Sequence, residues 1–370
     1  MSITFTNGFS IAQRIDSLYD FTTFTFTNVN ITGSNPPALS QFLAKYTGSA
    51  TWTSDSQYFT TQSGYQGYQL WTVPQTATYE IEVAGASTGL ASGSAGSALV
   101  PGKINSGSKM RARFNLEKNQ KLLIVVGQQS SNTTYTGTYS STGGGGGTFV
   151  VPSGSNSSSI NPLIVAGGGG GIGYWASVTP GAISSSQAFG RTTTYGGSSS
   201  FGEVPGTNGL GGKSHVKFTN NSYDGGGGAG FTVGVSGSGM NGNAVYNGVG
   251  SGNYGGGGKG FWTTASGSLG GANSPTYPAP GTSAGGFGGG GGAGPICGGG
   301  GGGYSGGAGT ARNTTPAPDG AGGGGSYISS SGTTVATADG NYETLSTFSG
   351  SAITNIGYHS GSGYVKITKL

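Results

Sequence analysis

Apolar and polar positions alternate with a period of two along several short stretches of this chain. Residues 78–83 set Tyr79, Ile81 and Val83 on one face and Glu80 and Glu82 on the other, the pattern of a half-buried β-strand. Residues 109–116 repeat it, with Met110, Ala112 and Phe114 inward and Lys109, Arg111 and Arg113 outward. If these two strands pair, Glu80 and Glu82 can face Arg111 and Arg113 across the sheet. Residues 122–126 are apolar almost throughout, which predicts a central strand buried on both faces. Further strands are expected at 3–6, 24–27, 69–73, 148–151 and 163–166, and at the closing stretch, where Val365 and Ile367 alternate with Lys366 and Thr368. After the Pro36-Pro37 break, residues 38–46 form the one expected helix, and Trp52, Tyr58 and Phe59 follow in an extended polar stretch.

Between about 167 and 326 this periodicity gives way to glycine. Runs stand at 143–147, just upstream, and at 167–171, 225–228, 255–258, 288–292, 298–303 and 322–325. The chain holds 83 glycines in 370 residues, a composition that by itself suits a flexible linker. Against that stand 19 Tyr, 16 Phe and 4 Trp, enough aromatic surface to bury a core. The runs lack the strict Gly-X-Y period of collagen. The ordered alternative is a bundle of glycine rods with three residues per turn and no internal hydrogen bonds, whose N–H and C=O groups point outward to neighbouring rods. Runs of similar short length, punctuated by single aromatics, fit rods crossing one layer. The expected architecture is therefore all-β, with a polyglycine-II helix bundle inserted at about 167–326. Residues 1–65 would form a β-rich attachment or extension segment, and residues 66–370 one glycine-rich β domain that the glycine region is inserted into or extends.

Charge narrows the function classes. Charged residues make up 7% of the chain and the net charge is +4, too dilute for a surface that tracks nucleic-acid phosphates. The locally basic stretch from Lys103 to Lys121 reads first as a solvated strand face. One cysteine, Cys297, excludes an intramolecular disulfide framework. Residues 1–10 have neither a basic n-region nor an apolar h-region, so no secretion leader is expected, and no apolar run approaches the ~18 residues of a membrane span.

Catalytic and cofactor chemistry finds little material. His215 and His359 stand apart in Gly/Ser-rich surroundings and read as solvated loop residues, and no cluster of His, Cys or carboxylate suggests a metal. Asp224 and Asp319 read as turn residues beside glycine runs. Residues 206–214 miss the phosphate-loop spacing by one residue, and 255–260 lack its first glycine and its Ser/Thr. Sequons at Asn30, Asn132, Asn156, Asn220 and Asn313 carry little information in a chain this rich in Ser, Thr and Asn. No enzyme activity and no cofactor are expected. The binding candidates are the aromatics between glycine runs, Tyr174, Trp175, Tyr254, Phe261 and Trp262, because exposed rings stack on sugars or anchor protein partners. Their competing role is to cap the glycine bundle.

Several stretches carry a family resemblance. Residues 68–74 (YQLWTVP) followed by 78–86 (TYEIEVAGA), the glycine-run-to-strand segments 143–150 and 162–171, and the closing 363–368 (GYVKIT) resemble the glycine-rich domains of anaplastic lymphoma kinase-type receptors. Together with the leading FTFTNVNITGSN segment, they are also similar to structural proteins of large DNA viruses and phages, and to the glycine-helix sandwiches at the tips of some phage tail adhesins. The resemblance covers roughly residues 22–370. It implies a TNF-like, jelly-roll-type β sandwich carrying polyglycine-II helices, with a homotrimer as one assembly state. Within that family the expected role is a virion structural protein at the particle surface: a fibre, tail-tip adhesin or minor capsid component. Its partners would be neighbouring virion proteins and a host receptor, glycan or protein. A receptor-type ligand-binding module and a purely structural coat or wall protein are the alternatives.

Overall fold

A computed structural model describes residues 3–4, 10–11, 16–93, 103–135, 141–153, 162–173, 187–199, 203–214, 223–231, 255–262, 268–273, 282–311, 320–339, 342–344 and 359–370. Its strands, in chain order, are β1 (Ile3–Thr4), β2 (Ser10–Ile11), β3 (Thr23–Thr27), β4 (Phe59–Thr61), β5 (Gln69–Thr72), β6 (Ala77–Ala84), β7 (Ala91–Gly93), β8 (Lys103–Asn105), β9 (Lys109–Leu116), β10 (Lys121–Val125), β11 (Thr133–Tyr135), β12 (Thr148–Pro152), β13 (Ile164–Ala166), β14 (Tyr327–Ile328), β15 (Thr333–Ala338), β16 (Tyr342–Thr344) and β17 (Tyr364–Lys369). Two antiparallel sheets dominate, one in the order β15-β9-β6-β17-β3 and the other β14-β13-β12-β10-β5-β4. The protein is an all-β sandwich.

The alternating strands fold as their patterns dictate. Tyr79, Ile81, Val83, Ala112, Val365 and Ile367 are fully buried between the sheets, joined by Phe26, Trp71 and Phe114. Glu80 stands opposite Arg113, and Glu82 opposite Arg111. The apolar β10 lies mid-sheet and splits its side chains: Leu122 and Ile124 enter the inter-sheet core, while Leu123 and Val125 face a second core on the far side.

The described segment from Tyr19 to residue 65 builds into this sandwich. β3 is the edge strand beside β17, and β4 is the edge strand beside β5, so the boundary drawn at residue 65 falls between two paired strands. The short helix α1 (Leu39–Tyr46) turns Phe42 and Tyr46 into the core, and the Tyr46 hydroxyl donates to the Thr27 carbonyl at 3.0 Å and to Gln69 Oε1 at 2.9 Å. Trp52 departs from the extended reading. It sits in a 3-10 turn (Thr51–Ser54), where its ring packs 5.0 Å from the Tyr19 and Phe24 rings. That aromatic burial outweighs the local preference for an extended chain.

Glycine runs continue from the strands at one end of the sandwich. The run 143–147 leads into β12, 167–171 leaves β13, and 322–325 leads into β14. Among the described residues no strand lies between Ala166 and Tyr327. The central run, 298–303, shows how the layer is held. Gly299 and Gly302 donate to Thr142 and Gly145; Gly300 and Gly303 donate to Gly226 and Ala229; Gly301 and Tyr304 donate to Gly322 and Gly325. Every third residue thus returns to the same neighbour. The carbonyls of Gly299 and Gly302 accept from Gly171 and Gly168, that of Gly300 from Gly291, and that of Gly301 from Gly307. Six segments surround one run, whereas a β-strand bonds to two at most. The spacing admits no side chain: a Cβ on Gly300 would strike the Gly307 carbonyl and lie 2.6 Å from the Gly228 nitrogen.

Candidate functional site

Where sandwich and glycine layer meet, three segments converge on a hollow. The first is the loop that leaves β3. The second, residues 127–130, leaves β10. The third is the turn 359–363 that enters β17. Backbone bonds tie them together: Gly33 N–H donates to the Gln129 carbonyl at 2.8 Å, and Gly363 N–H to the Gly127 carbonyl at 2.8 Å. Gln129 N–H donates to Ser362 Oγ at 3.1 Å, and the Gln128 side-chain amide donates to the carbonyls of Gly33 and Asn35. Gly33 has φ +84°, a conformation that favours glycine, and a Cβ there would meet Ser131 Oγ at 2.6 Å.

The hollow holds about 480 Å³ and is lined by Thr25, Thr27, Asn28, Asn30, Thr32, Gln129, Ser362, Gly363 and Tyr364. That volume lies within the ~300–1,000 Å³ of small-ligand sites. No lining side chain is an acid or a base. Asn28 is buried and donates its amide to the Ile31 carbonyl, which closes the turn at 28–31. Val29 (φ +50°) and Asn30 (φ +63°) both adopt left-handed backbone in that turn. This is strained for a β-branched valine, and such strain gathers at functional sites.

Tyr364 links the hollow to a charged cluster on the outer face of the five-stranded sheet. Its hydroxyl donates to Glu82 Oε1, Arg111 donates to Glu82 Oε2, and Lys109 Nζ stands 3.9 Å from Glu82 Oε1 and 5.7 Å from the Tyr364 ring centre. Burial pushes the Glu82 carboxyl up, but the bonds from Tyr364 and Arg111 and the charge of Lys109 outweigh it and hold Glu82 below the usual carboxylate range. Burial, then the bond to Glu82, raises the Tyr364 phenol. His359 is not the solvated loop residue its surroundings predict. Its Nε2 lies 2.6 Å from the Ser362 carbonyl, its ring packs edge-on 5.0 Å from Tyr364, and burial lowers its pKa. This cluster positions Tyr364; Glu82 is saturated with donors and has no proton to exchange near neutral pH.

The aromatic candidates fare differently. Tyr174, Trp175 and Tyr254 lie outside the described residues. Phe261 is 1% exposed, so it cannot stack on a ligand; with Phe231 and Phe287 it covers the outer face of the six-stranded sheet over Phe149 and Val151. Its carbonyl accepts a bond from the Tyr68 hydroxyl. Apolar burial has claimed this ring, the capping role rather than the binding one. Trp262 is half-buried on the rim of the same cluster, beside Phe261 and Tyr65. Asp224, expected in a turn, is buried. Among the described residues no three His, Cys, Asp or Glu side chains gather where a metal could be held, and no helix is long and apolar enough to cross a membrane.

Sequence reasoning missed the hollow. Its one local signal is the run of polar residues after β3, 27–35 (TNVNITGSN). Gln129 and Tyr364 come from segments about a hundred and more than three hundred residues away, and only the fold unites them. No protein-family model matches the chain, and a search of curated proteins returns no match.

Proposed function

We propose that the protein is a non-enzymatic structural component of a virion surface, a fibre, tail-tip adhesin or minor capsid protein, that engages a host receptor or a neighbouring virion protein. In this reading the glycine layer is a polyglycine-II bundle, and its rigidity is its purpose. The observation that carries it is the three-residue alternation of bonds around the run 298–303, with six neighbouring segments. A plate cross-bonded in this way holds the roots of its loops fixed without disulfides, and loops on a rigid scaffold make good binding surfaces. A buried single cysteine and a low charge content fit a particle component assembled in a reducing compartment.

Mass spectrometry of purified particles tests the assignment. The protein is expected among the particle components, and the purified chain is expected to bind host envelopes. Absence from particles overturns it, whatever the affinity for envelopes. A purely structural coat role has one observation in its favour, the use of Phe261 for packing. Particle incorporation without envelope binding would select that role.

A further inference from the structure

We propose that the hollow between β3, the 127–130 segment and β17 is a carbohydrate site that takes a neutral, hydroxyl-rich sugar unit. The assignment deepens the attachment reading above, on which it rests, by naming the ligand class and the residues that read it.

Three side chains that line the hollow, Thr25, Asn30 and Thr32, have no hydrogen-bond partner among the described residues, and all three are exposed to solvent. The remaining lining groups are already bonded within the protein. Gln129 gives its amide to Ser87 Oγ and the Thr88 carbonyl, Ser362 Oγ accepts from Gln129, and Thr27 Oγ1 accepts from Val29 N–H. The hollow thus has a fixed wall and three open contacts. A threonine hydroxyl and an asparagine amide each both donate and accept, as do the hydroxyls of a sugar. A phosphate or carboxylate would need a cation in the wall, and an ammonium ligand a carboxylate; the lining offers neither.

Tyr364 supplies the apolar element. Its hydroxyl is engaged by Glu82, Lys109 Nζ lies 5.7 Å from the ring centre and His359 packs against it edge-on at 5.0 Å, so the ring is fixed in place along the hollow. An aromatic face beside hydroxyl and amide groups suits a pyranose, which is apolar on its C–H face and polar at its rim. The strained turn is the third element. Left-handed backbone at Val29 and Asn30 persists only where the surroundings impose it, and here it sets the Asn30 side chain on the rim of the hollow. Pre-ordering of this kind lowers the entropy lost when a weak ligand is bound.

The test uses the full chain made in a bacterium, so that the sequon at Asn30 is unmodified. An array of neutral glucose-, galactose-, mannose- and N-acetylhexosamine-containing oligosaccharides, with sialylated and sulfated counterparts, is followed by calorimetry on the strongest neutral hit. The variants are Thr25→Val, Thr32→Val and Asn30→Gly, the last keeping the left-handed backbone. Each is expected to weaken binding by about 3- to 10-fold, in line with the loss of one neutral hydrogen bond, and the triple variant by at least tenfold, with an unchanged melting temperature. Should the triple variant fail to fold, hydrogen exchange of the wild type with and without the same sugar decides: protection is expected at 25–33 and 359–364. Failure to bind any neutral oligosaccharide, binding of charged ones alone, unchanged affinity in a folded triple variant, or protection elsewhere overturns the proposal. These outcomes separate from those of the particle experiment. Sugar binding by a protein absent from particles defeats the virion reading alone, and incorporation without sugar binding defeats this one alone.

Discussion

At Glu82 one half-buried carboxylate receives Arg111, Lys109 and the Tyr364 hydroxyl. Removing it strands a phenol and a guanidinium that have lost their acceptor. Glu82→Ala is therefore expected to cost about 1.5–3 kcal/mol, read as a shift of the urea midpoint. One residue pair along, Arg113 meets Glu80 at 3.0 Å but its side chain is 50% exposed. There solvent screens the pair, and Arg113→Ala is expected to cost less than about 1 kcal/mol. Glycine gives a sharper contrast. Gly300→Ala drives a methyl group from the central run into the backbones of Gly307 and Gly228 and is expected to destabilise by several kcal/mol, as overpacking with no flexible neighbour to yield. Gly48→Ala, where a Cβ meets nothing within 4 Å, is expected to leave the melting temperature unchanged or raise it slightly. Comparable losses at both glycines would mean that the close approach of the glycine backbones does not set stability.

Among the elements, β17 joins β3 to the rest of the five-stranded sheet. It lies between β6 and β3, and both Val365 and Ile367 are fully buried. Ile367→Ala is expected to cost about 2–5 kcal/mol, and deletion of residues 364–370 to abolish cooperative unfolding, measured by calorimetry. The strands were legible because alternation is a local signal. β6 and β9 could be drawn from Tyr79-Glu80-Ile81-Glu82 and Met110-Arg111-Ala112-Arg113, and even their charge pairing followed from side-chain parity. The glycine segments were legible only as runs, since glycine has no side chain to mark a face, and the bonding to six segments around 298–303 depends on partners scattered from Thr142 to Gly325. Of the hollow, only the polar run 27–35 was legible. Thr25, Gln129 and Tyr364 share no spacing, and the aromatic signal at Phe261 pointed into a core instead.

For the molecule as a whole, pH stability follows its buried phenols. Burial pushes Tyr46 and Tyr79 up to about 12, and raises Tyr19, Tyr68 and Tyr364 as well. The unfolded chain ionises these groups near pH 10 while the folded chain keeps them neutral, so their contribution is complete below pH ~10 and is lost as pH rises further. Lys109, lowered by burial, works in the opposite sense over part of that range, one group against five. Urea midpoints are expected to hold to about pH 10 and then fall, with these five phenols ionising only on unfolding, as followed by tyrosinate absorbance. On the acid side His359 and Glu82 both sit below their ordinary values of 6.5 and 4.5. Stability should therefore fall in two steps, first below pH ~6.5 and then below pH ~4.5; a midpoint flat from pH 7 to pH 5 would contradict the burial of His359.

The bonding of the run 298–303 also bears on how the chain reaches this state. Among the described residues its donors serve none nearer than Gly322, and others reach back to Thr142, while the five-stranded sheet joins Thr23 to Thr368 across 345 residues. Closing such distant contacts costs loop entropy before any bond rewards it, and rates fall as contacting residues grow further apart in sequence. A glycine segment has no local structure with which to begin. Strand pairing must first bring the roots of the runs together, and the glycine segments then lock as one. Refolding should accordingly be slow, with strand signals appearing before protection of the glycine amides.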